Sequence, residues 1–114
     1  MWNWDSVAAE CEFLSEQGIS WAMVSPPQEH IFGEQWWTMY QPVSYQLESR
    51  FGTREQFAAM VETCNSHNVD IIVDAIINHM ANQDGIGYAG TQFSKYDYPG
   101  LYTPEDFNVC QITG

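Results

Sequence analysis

Asn78 and His79 are the residues best placed for chemistry, because they end a nearly continuous β-branched run that begins at Asp70. Such a run can bury both faces of a parallel strand. In α/β folds, ligands gather at the carboxyl ends of parallel strands, where side chains extend toward the loops. The position of Asn78 and His79 therefore favours a binding site, although two polar residues can also simply end a strand.

Aromatic side chains crowd a second segment, residues 36–45, which is too polar and too interrupted by proline to be a core strand. Sugar rings have apolar C–H faces and polar rims, so aromatic stacking combined with hydrogen bonds from amides and imidazoles suits them. The alternative is a hydrophobic minicore, since large aromatic side chains dominate buried area. The candidate sugar-binding residues are Trp36, Trp37, Tyr40, Gln41 and His79.

A helix and a strand are expected before the aromatic segment. Residues 6–17 have apolar side chains at helical spacing, with Asp5 as the expected N-cap and Gly18 beyond the end. Residues 21–25 form a short apolar run that Pro26 stops. This pattern predicts a buried parallel strand whose C-terminal end opens into a long loop.

A second helix and strand are expected after the aromatic segment. Thr53 and Gln56 have the spacing of a capping box, and the helix that they begin leads into the strand at Ile71. Strand, crossover helix and strand form a right-handed unit in nearly all proteins. Residues 81–114 are rich in Gly, Asn, Asp and Tyr without a sustained period, which predicts irregular structure with at most short strands.

The charge of the chain excludes some classes of partner. Its formal net charge is −12, from 15 acidic residues against 3 basic ones. Nucleic-acid binding requires clustered Lys and Arg, and an anionic membrane surface also attracts basic segments, so neither partner is expected. The sequence has no apolar run of about 18 residues, the length that a membrane span needs. The acidity suits a neutral polysaccharide, and it serves solubility equally well.

The three cysteines, Cys11, Cys64 and Cys110, lack the spacing of a zinc site. They can form a disulfide, or they can be free thiols buried in a reducing compartment. A disulfide would imply export from the cell. The spacing alone leaves both interpretations open.

Three separated motifs occur in the order in which the α-amylase family has them. They are Ser-Pro-Pro at residues 25–27, the aromatic segment at residues 36–45 and Val-Asp-Ala-Ile-Ile-Asn-His-Met at residues 73–80. The chain resembles the animal and related bacterial members over essentially its whole length. The resemblance implies an α/β fold, the (β/α)8 or TIM barrel, which needs at least about 200 residues.

Because the chain has 114 residues, we expect a fragment of that barrel. By the resemblance, residues 1–80 form the N-terminal part of the barrel, from about the end of strand one through strand three. Residues 81–114 begin the domain that the family inserts after strand three. The boundary between the two domains is expected near residue 80.

The resemblance implies a glycoside hydrolase that cleaves internal α-1,4-glucosidic bonds of starch and glycogen with retention. Its catalytic carboxylates lie beyond residue 114, so the chain is expected to contain no catalytic residue and to be inactive alone. The expected partner is starch or another α-1,4-glucan. The alternative is a non-catalytic carbohydrate-binding derivative of the same fold, and the sequence past residue 114 would distinguish the two.

The family assigns roles to several positions. Asn78 resembles a ligand of the structural Ca²⁺ ion, His79 the imidazole that hydrogen-bonds the sugar at the cleavage subsite, and Tyr40 the ring stacked under that sugar. Asp74 resembles a supporting residue of the strand motif. The remaining positions line neighbouring subsites: Trp36, Trp37 and Gln41. A chloride requirement stays open.

The resemblance also pairs Cys11 with Cys64 and leaves Cys110 without its partner, which implies a secreted protein. We expect the intact protein to be a monomer. His30 and His67 match no functional position and are expected at the surface. Three acidic residues are interpreted as loop acids: Asp84, Asp97 and Asp106.

Overall fold

The computed structural model describes residues 2–108. Its first part contains two helices that alternate with two strands: α1 (Trp4–Glu16), β1 (Trp21–Val24), α2 (Arg54–Ser66) and β2 (Asp70–Val73). β1 and β2 are parallel and in register from Trp21 opposite Asp70 to Val24 opposite Val73. Because parallel neighbours need a crossover, α2 connects them across the sheet, as the sequence predicts.

The N-terminus of α1 differs from the expectation. Asn3 is the N-cap, and its side-chain oxygen accepts a hydrogen bond from the Ser6 N–H at 2.8 Å. The prediction of Asp5 as the N-cap is wrong because Asp5 lies in the first turn, where a carboxylate interacts favourably with the helix dipole. Its carboxylate also accepts a hydrogen bond from the Gln56 side chain at 3.0 Å, which joins α1 to α2.

The capping box of α2 is confirmed. The Thr53 hydroxyl accepts from the Gln56 N–H at 3.2 Å, and the Gln56 side chain accepts from the Thr53 N–H at 2.9 Å. Both bonds satisfy N–H groups that a helix N-terminus otherwise leaves unpaired. The position at which α2 begins is therefore fixed by its own sequence.

Strand β2 is shorter than the run that predicts it, since it ends at Val73 rather than near His79. Its partner β1 ends at Val24, and Pro26 follows two residues later without an N–H to donate. The Asp74 N–H still donates to the Val24 carbonyl at 3.2 Å, after which the strand pairing stops. Asn78 and His79 consequently lie in a loop beyond the strand.

The predicted burial of both faces of the strands is also not met within residues 2–108. Trp21, Met23 and Ile72 are exposed, whereas Val24 is buried. Val24 points toward the layer that contains the two helices, and alternate residues of a strand point to the opposite face. Among the described residues, helices cover one face of this two-stranded sheet.

The helices and this face of the sheet enclose a cluster that we call the helix core. Trp4 packs its indole against the rings of Phe51 and Phe57, each with a centroid separation of 5.3 Å. The Sγ atoms of Cys11 and Cys64 lie at disulfide distance, 1.94 Å, between α1 and α2. The buried members are Trp4, Cys11, Val24, Met39, Phe51, Met60, Cys64 and Val69. Cys110 lies outside the described residues.

Residues 81–108 contain only short regular elements, as the sequence predicts. They are the antiparallel strands β3 (Gly85–Ile86) and β4 (Gln92–Phe93) and the 3₁₀ helix Pro104–Asp106. A second cluster, the loop core, takes buried residues from both sides of residue 80: Ile31, Val43, Ala81, Phe93 and Tyr98. Two of the expected loop acids accept hydrogen bonds from the backbone: Asp84 from the Lys95 N–H, and Asp106 from the Thr103 N–H at the start of the 3₁₀ helix.

Within residues 2–108 we find no helix with the length and apolar character that crossing a membrane requires.

Candidate functional site

The aromatic segment forms a 3₁₀ helix, Trp36–Tyr40, in the long loop between β1 and α2. The Arg50 guanidinium fixes this helix by donating to the Gln35 carbonyl at 3.0 Å and to the Thr38 hydroxyl at 3.1 Å. Thr38 is buried, whereas Trp36 is 63% exposed. The helix therefore holds the exposed indole of Trp36 on a fixed backbone.

Tyr40 is the centre of the candidate site. Its hydroxyl donates to the Asp74 carboxylate at 2.6 Å, and its carbonyl accepts from the His79 Nε2 at 2.8 Å. The Trp36 ring meets the Tyr40 ring edge to face, with centroids 6.3 Å apart. The structure thus joins the aromatic segment to the strand motif, 34 and 39 residues further along the chain.

The hydrogen bond to Asp74 also favours the neutral form of Tyr40. The carboxylate accepts a hydrogen bond that only the protonated phenol can donate, and this bond, aided by desolvation and the nearby negative charge, raises the pKa of Tyr40 above its ordinary value of 10.0. An aromatic ring held at its hydroxyl end presents a fixed face to a ligand.

His79 has one ring nitrogen engaged by the protein. A carbonyl oxygen only accepts, so the contact with Tyr40 requires the proton on Nε2. In the neutral tautomer, Nδ1 is then an acceptor, and the side chain is exposed. A ligand hydroxyl can therefore donate to this nitrogen.

Gln41 and Trp37 lie beside this cluster with different roles. The side-chain oxygen of Gln41 accepts from the Asn82 N–H at 3.0 Å, which leaves its amide N–H groups as donors. Trp37 is 41% exposed and makes none of the ring pairs found among residues 2–108. The structure joins Trp36 and His79 to Tyr40, and Gln41 follows Tyr40 in the chain.

Asn78 lines a cavity of about 270 Å³ together with His79. Asp106 and Tyr45 line the same cavity. The hydroxyl groups of Tyr45 and Tyr102 lie 3.2 Å apart, and the hydrogen bond between them is the main cause that raises the pKa of Tyr45 to about 12. Within residues 2–108 no three His, Cys, Asp or Glu side chains are grouped to hold a metal ion. Asn78 and Asp106 supply oxygen atoms of the kind Ca²⁺ takes, but Ca²⁺ needs six to eight ligands.

His30 contradicts the expectation of a surface residue, since it is completely buried. Its Nδ1–H donates to the Ile31 carbonyl at 2.8 Å and its Nε2 accepts from the Arg50 N–H at 3.1 Å. Desolvation is the main cause that lowers the pKa of His30, so the ring is held neutral. His67, in contrast, is the half-buried C-cap of α2.

Glu29, which neighbours His30, was missed entirely by the sequence interpretation. Its side chain is completely buried, and its carboxylate accepts hydrogen bonds from two other segments. The sequence carries no signal for this, because Gln28, Glu29 and His30 form a polar run of the kind that ordinarily lies in solvent.

Comparison with known proteins identifies the family of the chain. Residues 7–104 match the family profile described as "Alpha amylase, catalytic domain". The chain is 52% identical over 113 residues to an α-amylase of Streptomyces violaceus and 45% identical over 122 residues to an α-amylase-related protein of Drosophila melanogaster. Each match covers 98% of this chain, but only 20% and 25% of the respective relative.

The fold is also similar to that of solved α-amylases. The structure of wild-type α-amylase I from Eisenia fetida matches 96% of this chain and 24% of its own with a TM-score of 0.92 and 40% identity. A mutant of that enzyme in complex with maltohexaose matches with a TM-score of 0.91. These matches confirm the predicted partial (β/α)8 barrel, and together with the profile match they show that the chain belongs to the α-amylase family.

Proposed function

We propose that the protein carrying this chain is a retaining endo-acting α-amylase that hydrolyses α-1,4 bonds of starch and glycogen. The junction of Trp36, Tyr40, Asp74 and His79 is the observation that supports it, because it combines fixed aromatic faces with an exposed hydrogen-bond acceptor. This is the arrangement that a sugar ring requires. The chain spans about a fifth of the curated α-amylases it matches.

Each residue of the junction has a distinct part in binding a glucan. The Tyr40 ring stacks under one glucosyl unit, and Asp74 holds that ring by its hydroxyl. Nδ1 of His79 accepts from a hydroxyl of the same unit. The neighbouring units are bound by the Trp36 and Trp37 rings and by the Gln41 amide N–H groups. Holding the scissile bond in one orientation lowers the entropic part of the barrier to its cleavage.

The chemical step needs groups that this site does not supply. Retaining hydrolysis requires a carboxylate nucleophile and a carboxylic acid about 5 to 5.5 Å apart. The junction contains one carboxylate, that of Asp74, and its Oδ2 accepts the hydrogen bond from the Tyr40 hydroxyl. We therefore assign a supporting role to Asp74 and no catalytic residue to this chain.

The other expected properties remain part of the proposal. Asn78 would supply one oxygen ligand to a structural Ca²⁺ ion, whose positive charge would hold the segments around the cavity together. The sulfur pair Cys11–Cys64 supports secretion, because disulfides persist in oxidising compartments. The ligand is starch or a related α-1,4-glucan rather than a nucleic acid or a membrane, and the assembly is a monomer.

Replacing one of two similarly exposed tryptophans tests the substrate assignment. Trp36 is 63% exposed in the junction, and Trp2 is 58% exposed outside it. In the protein that carries this chain, Trp36→Ala should raise the KM for soluble starch about two- to tenfold, since an aromatic contact contributes about 0.5–1.5 kcal/mol. Trp2→Ala should leave the KM unchanged. Equal KM values for Trp36→Ala and the wild type would contradict the assignment of Trp36 to substrate binding.

An anomer-resolved product assay tests the mechanism. The initial products should be α-anomers, since retention preserves the configuration of the cleaved bond. Initial release of β-anomers would contradict retention, and absence of turnover on soluble starch would contradict the hydrolase. Maltohexaose binding without turnover would instead support the non-catalytic carbohydrate-binding derivative.

A further inference from the structure

Glu29 has a completely buried carboxylate whose hydrogen bonds reach two other segments. One carboxylate oxygen accepts from the Ser44 hydroxyl at 2.5 Å. The other accepts from the Ala89 N–H at 2.7 Å and from the Thr91 N–H at 3.2 Å. We call this group the Glu29 junction: Glu29, Ser44, Ala89 and Thr91.

The Glu29 junction connects three chain segments that lie side by side. Residues 28–31 lie next to residues 41–46, with an antiparallel bridge between His30 and Pro42. On the other side they lie next to residues 87–91, with a bridge between Ile31 and Gly87. The Glu29 side chain thus bonds to the segment on each side of its own.

The absence of a side chain at Gly87 leaves the space that the Glu29 carboxylate occupies. A Cβ atom placed on Gly87 would lie 2.5 Å from the Glu29 Oε2 and 2.8 Å from its Cδ. Any other residue at position 87 would therefore displace the carboxylate or the turn. Gly87 and Glu29 form a matched pair, and the pair can be tested by substitution.

A buried carboxylate is costly unless its oxygens are hydrogen-bonded, so the three donors offset a desolvation penalty of several kcal/mol. Bonds to a charged acceptor are about twice as strong as neutral ones. Removing the carboxylate would leave the N–H groups of Ala89 and Thr91 without this acceptor. The turn that contains them would then lose its attachment to residues 28–31.

The Glu29 junction lies close in the chain to the proposed sugar-binding residues. The Gln41 carbonyl accepts a hydrogen bond from the Ile31 N–H at 3.2 Å. The side-chain oxygen of Gln41 accepts another from the Asn82 N–H at 3.0 Å. The Pro42 carbonyl accepts from the Ala81 N–H at 2.8 Å. Displacement of residues 28–31 or 81–91 would therefore move Gln41 and, next to it, Tyr40.

We propose that Glu29 is a positioning residue that holds residues 87–91 against residues 28–31 and 41–46, and thereby fixes Tyr40 and Gln41 for glucan binding. Its effect on binding rests on the function proposed above. Its effect on the turn does not, because the turn is held whether or not a glucan binds.

The test compares four variants in the protein that carries this chain at its full encoded length. They are Glu29→Ala, Gly87→Ala, the double variant, and Glu34→Ala as the control, since Glu34 is an exposed glutamate of the same loop. A fifth variant, Glu29→Gln, serves as the conservative rescue. Two readouts are needed: amide hydrogen exchange of the peptide that contains Ala89 and Thr91, and the dissociation constant for maltohexaose. Both are measured well below the melting temperature of each variant.

Glu29→Ala should accelerate exchange at Ala89 and Thr91 about tenfold or more. It should weaken maltohexaose binding about threefold or more, while Glu34→Ala changes neither. Gly87→Ala should have a similar effect alone and little additional effect in the double variant, because Glu29→Ala removes the atoms with which the new Cβ collides. Glu29→Gln, which keeps an acceptor oxygen, should recover part of both losses.

Unchanged exchange at Ala89 and Thr91 in Glu29→Ala would overturn the attachment of the turn. Faster exchange with unchanged maltohexaose affinity would overturn the positioning role. Strictly additive effects of Glu29→Ala and Gly87→Ala would overturn their pairing. A wild type that binds no maltohexaose would contradict the proposed function and with it the positioning role, and the exchange data would still decide the attachment of the turn.

Discussion

The helix core and the loop core are held together by different kinds of interaction. In the helix core, two helices pack apolar faces around Trp4, and the sulfurs of Cys11 and Cys64 meet between them. Around the loop core, the backbone is irregular, and the buried polar side chains of Glu29 and His30 hold it through hydrogen bonds to other segments. We expect the first to contribute mainly stability, and the second to position the groups proposed to bind a glucan.

Because the interactions differ, we expect substitutions in the two regions to change different properties of the protein. Apolar packing and a cross-link are insensitive to direction, so their loss should lower the free energy of unfolding without altering the site. Hydrogen bonds to a buried carboxylate or imidazole are directional, so their loss should move particular backbone segments.

The largest expected effect is loss of the cross-link in the helix core. Replacing both Cys11 and Cys64 by Ala should lower the free energy of unfolding by about 4 kcal/mol, because the bond closes a loop of 53 residues. Denaturant titration of the protein with and without the replacements measures this. Peptide mapping under non-reducing conditions should recover Cys11 linked to Cys64, and recovery of either linked to Cys110 would contradict the pairing.

A smaller loss is expected in the loop core from Tyr98→Phe. The Tyr98 hydroxyl is buried and donates to the Ala81 carbonyl at 2.5 Å, so its removal leaves a buried acceptor unpaired. The free energy of unfolding should fall by about 1–3 kcal/mol in denaturant titration. Tyr96→Phe is the matched control, because Tyr96 is exposed, and an equal loss in both variants would contradict the account.

The sequence predicted the helix core far better than the loop core. The capping box of Thr53 and Gln56, the helical spacing and the parallel strand pair are local patterns, and a local pattern is visible in sequence. The length of β2 was overestimated because its end depends on the prolines that follow its partner strand.

The geometry of the candidate site could be predicted only in part, for the same reason. Aromatic and family motifs drew attention to Trp36, Tyr40 and His79, whereas the Asp74 hydrogen bond that fixes Tyr40 depends on a contact across 34 residues. Glutamate is mostly exposed in proteins, and histidine is intermediate in burial, so their types alone do not predict that Glu29 and His30 are buried. Their burial follows from long-range bonds to Ala89, Thr91 and Arg50, which no local pattern reports.

Low pH should destabilise the region around the loop core, because the buried imidazole of His30 becomes protonated. Because burial lowers the pKa of His30, the native state binds fewer protons than the unfolded state as the pH falls below the ordinary histidine value of 6.5. Stability should therefore decrease over that range. His30→Gln, whose amide can keep both hydrogen bonds, should flatten the pH dependence of the denaturation midpoint between about pH 7 and pH 5. An unchanged slope would contradict the neutral buried imidazole.

The smallest expected effect is at the junction of Tyr40 and Asp74. Asp74→Asn removes the charged acceptor, so the pKa of Tyr40 should fall toward its ordinary value of 10.0. Titration of the tyrosine ring signals by NMR measures this, with Tyr98 as an internal reference because burial is the main cause that raises its pKa. A Tyr40 pKa that does not change would show that Asp74 does not hold the hydroxyl.

The central claim is that these residues bind and orient a glucan while the groups that cleave it lie elsewhere. Release of reducing ends from soluble starch tests it most directly, measured for the purified 114-residue chain and for the protein that carries it. The account predicts turnover by that protein and none by the chain alone above a heat-killed control, since retaining hydrolysis needs a pair of carboxyl groups. Turnover by the chain alone would contradict it.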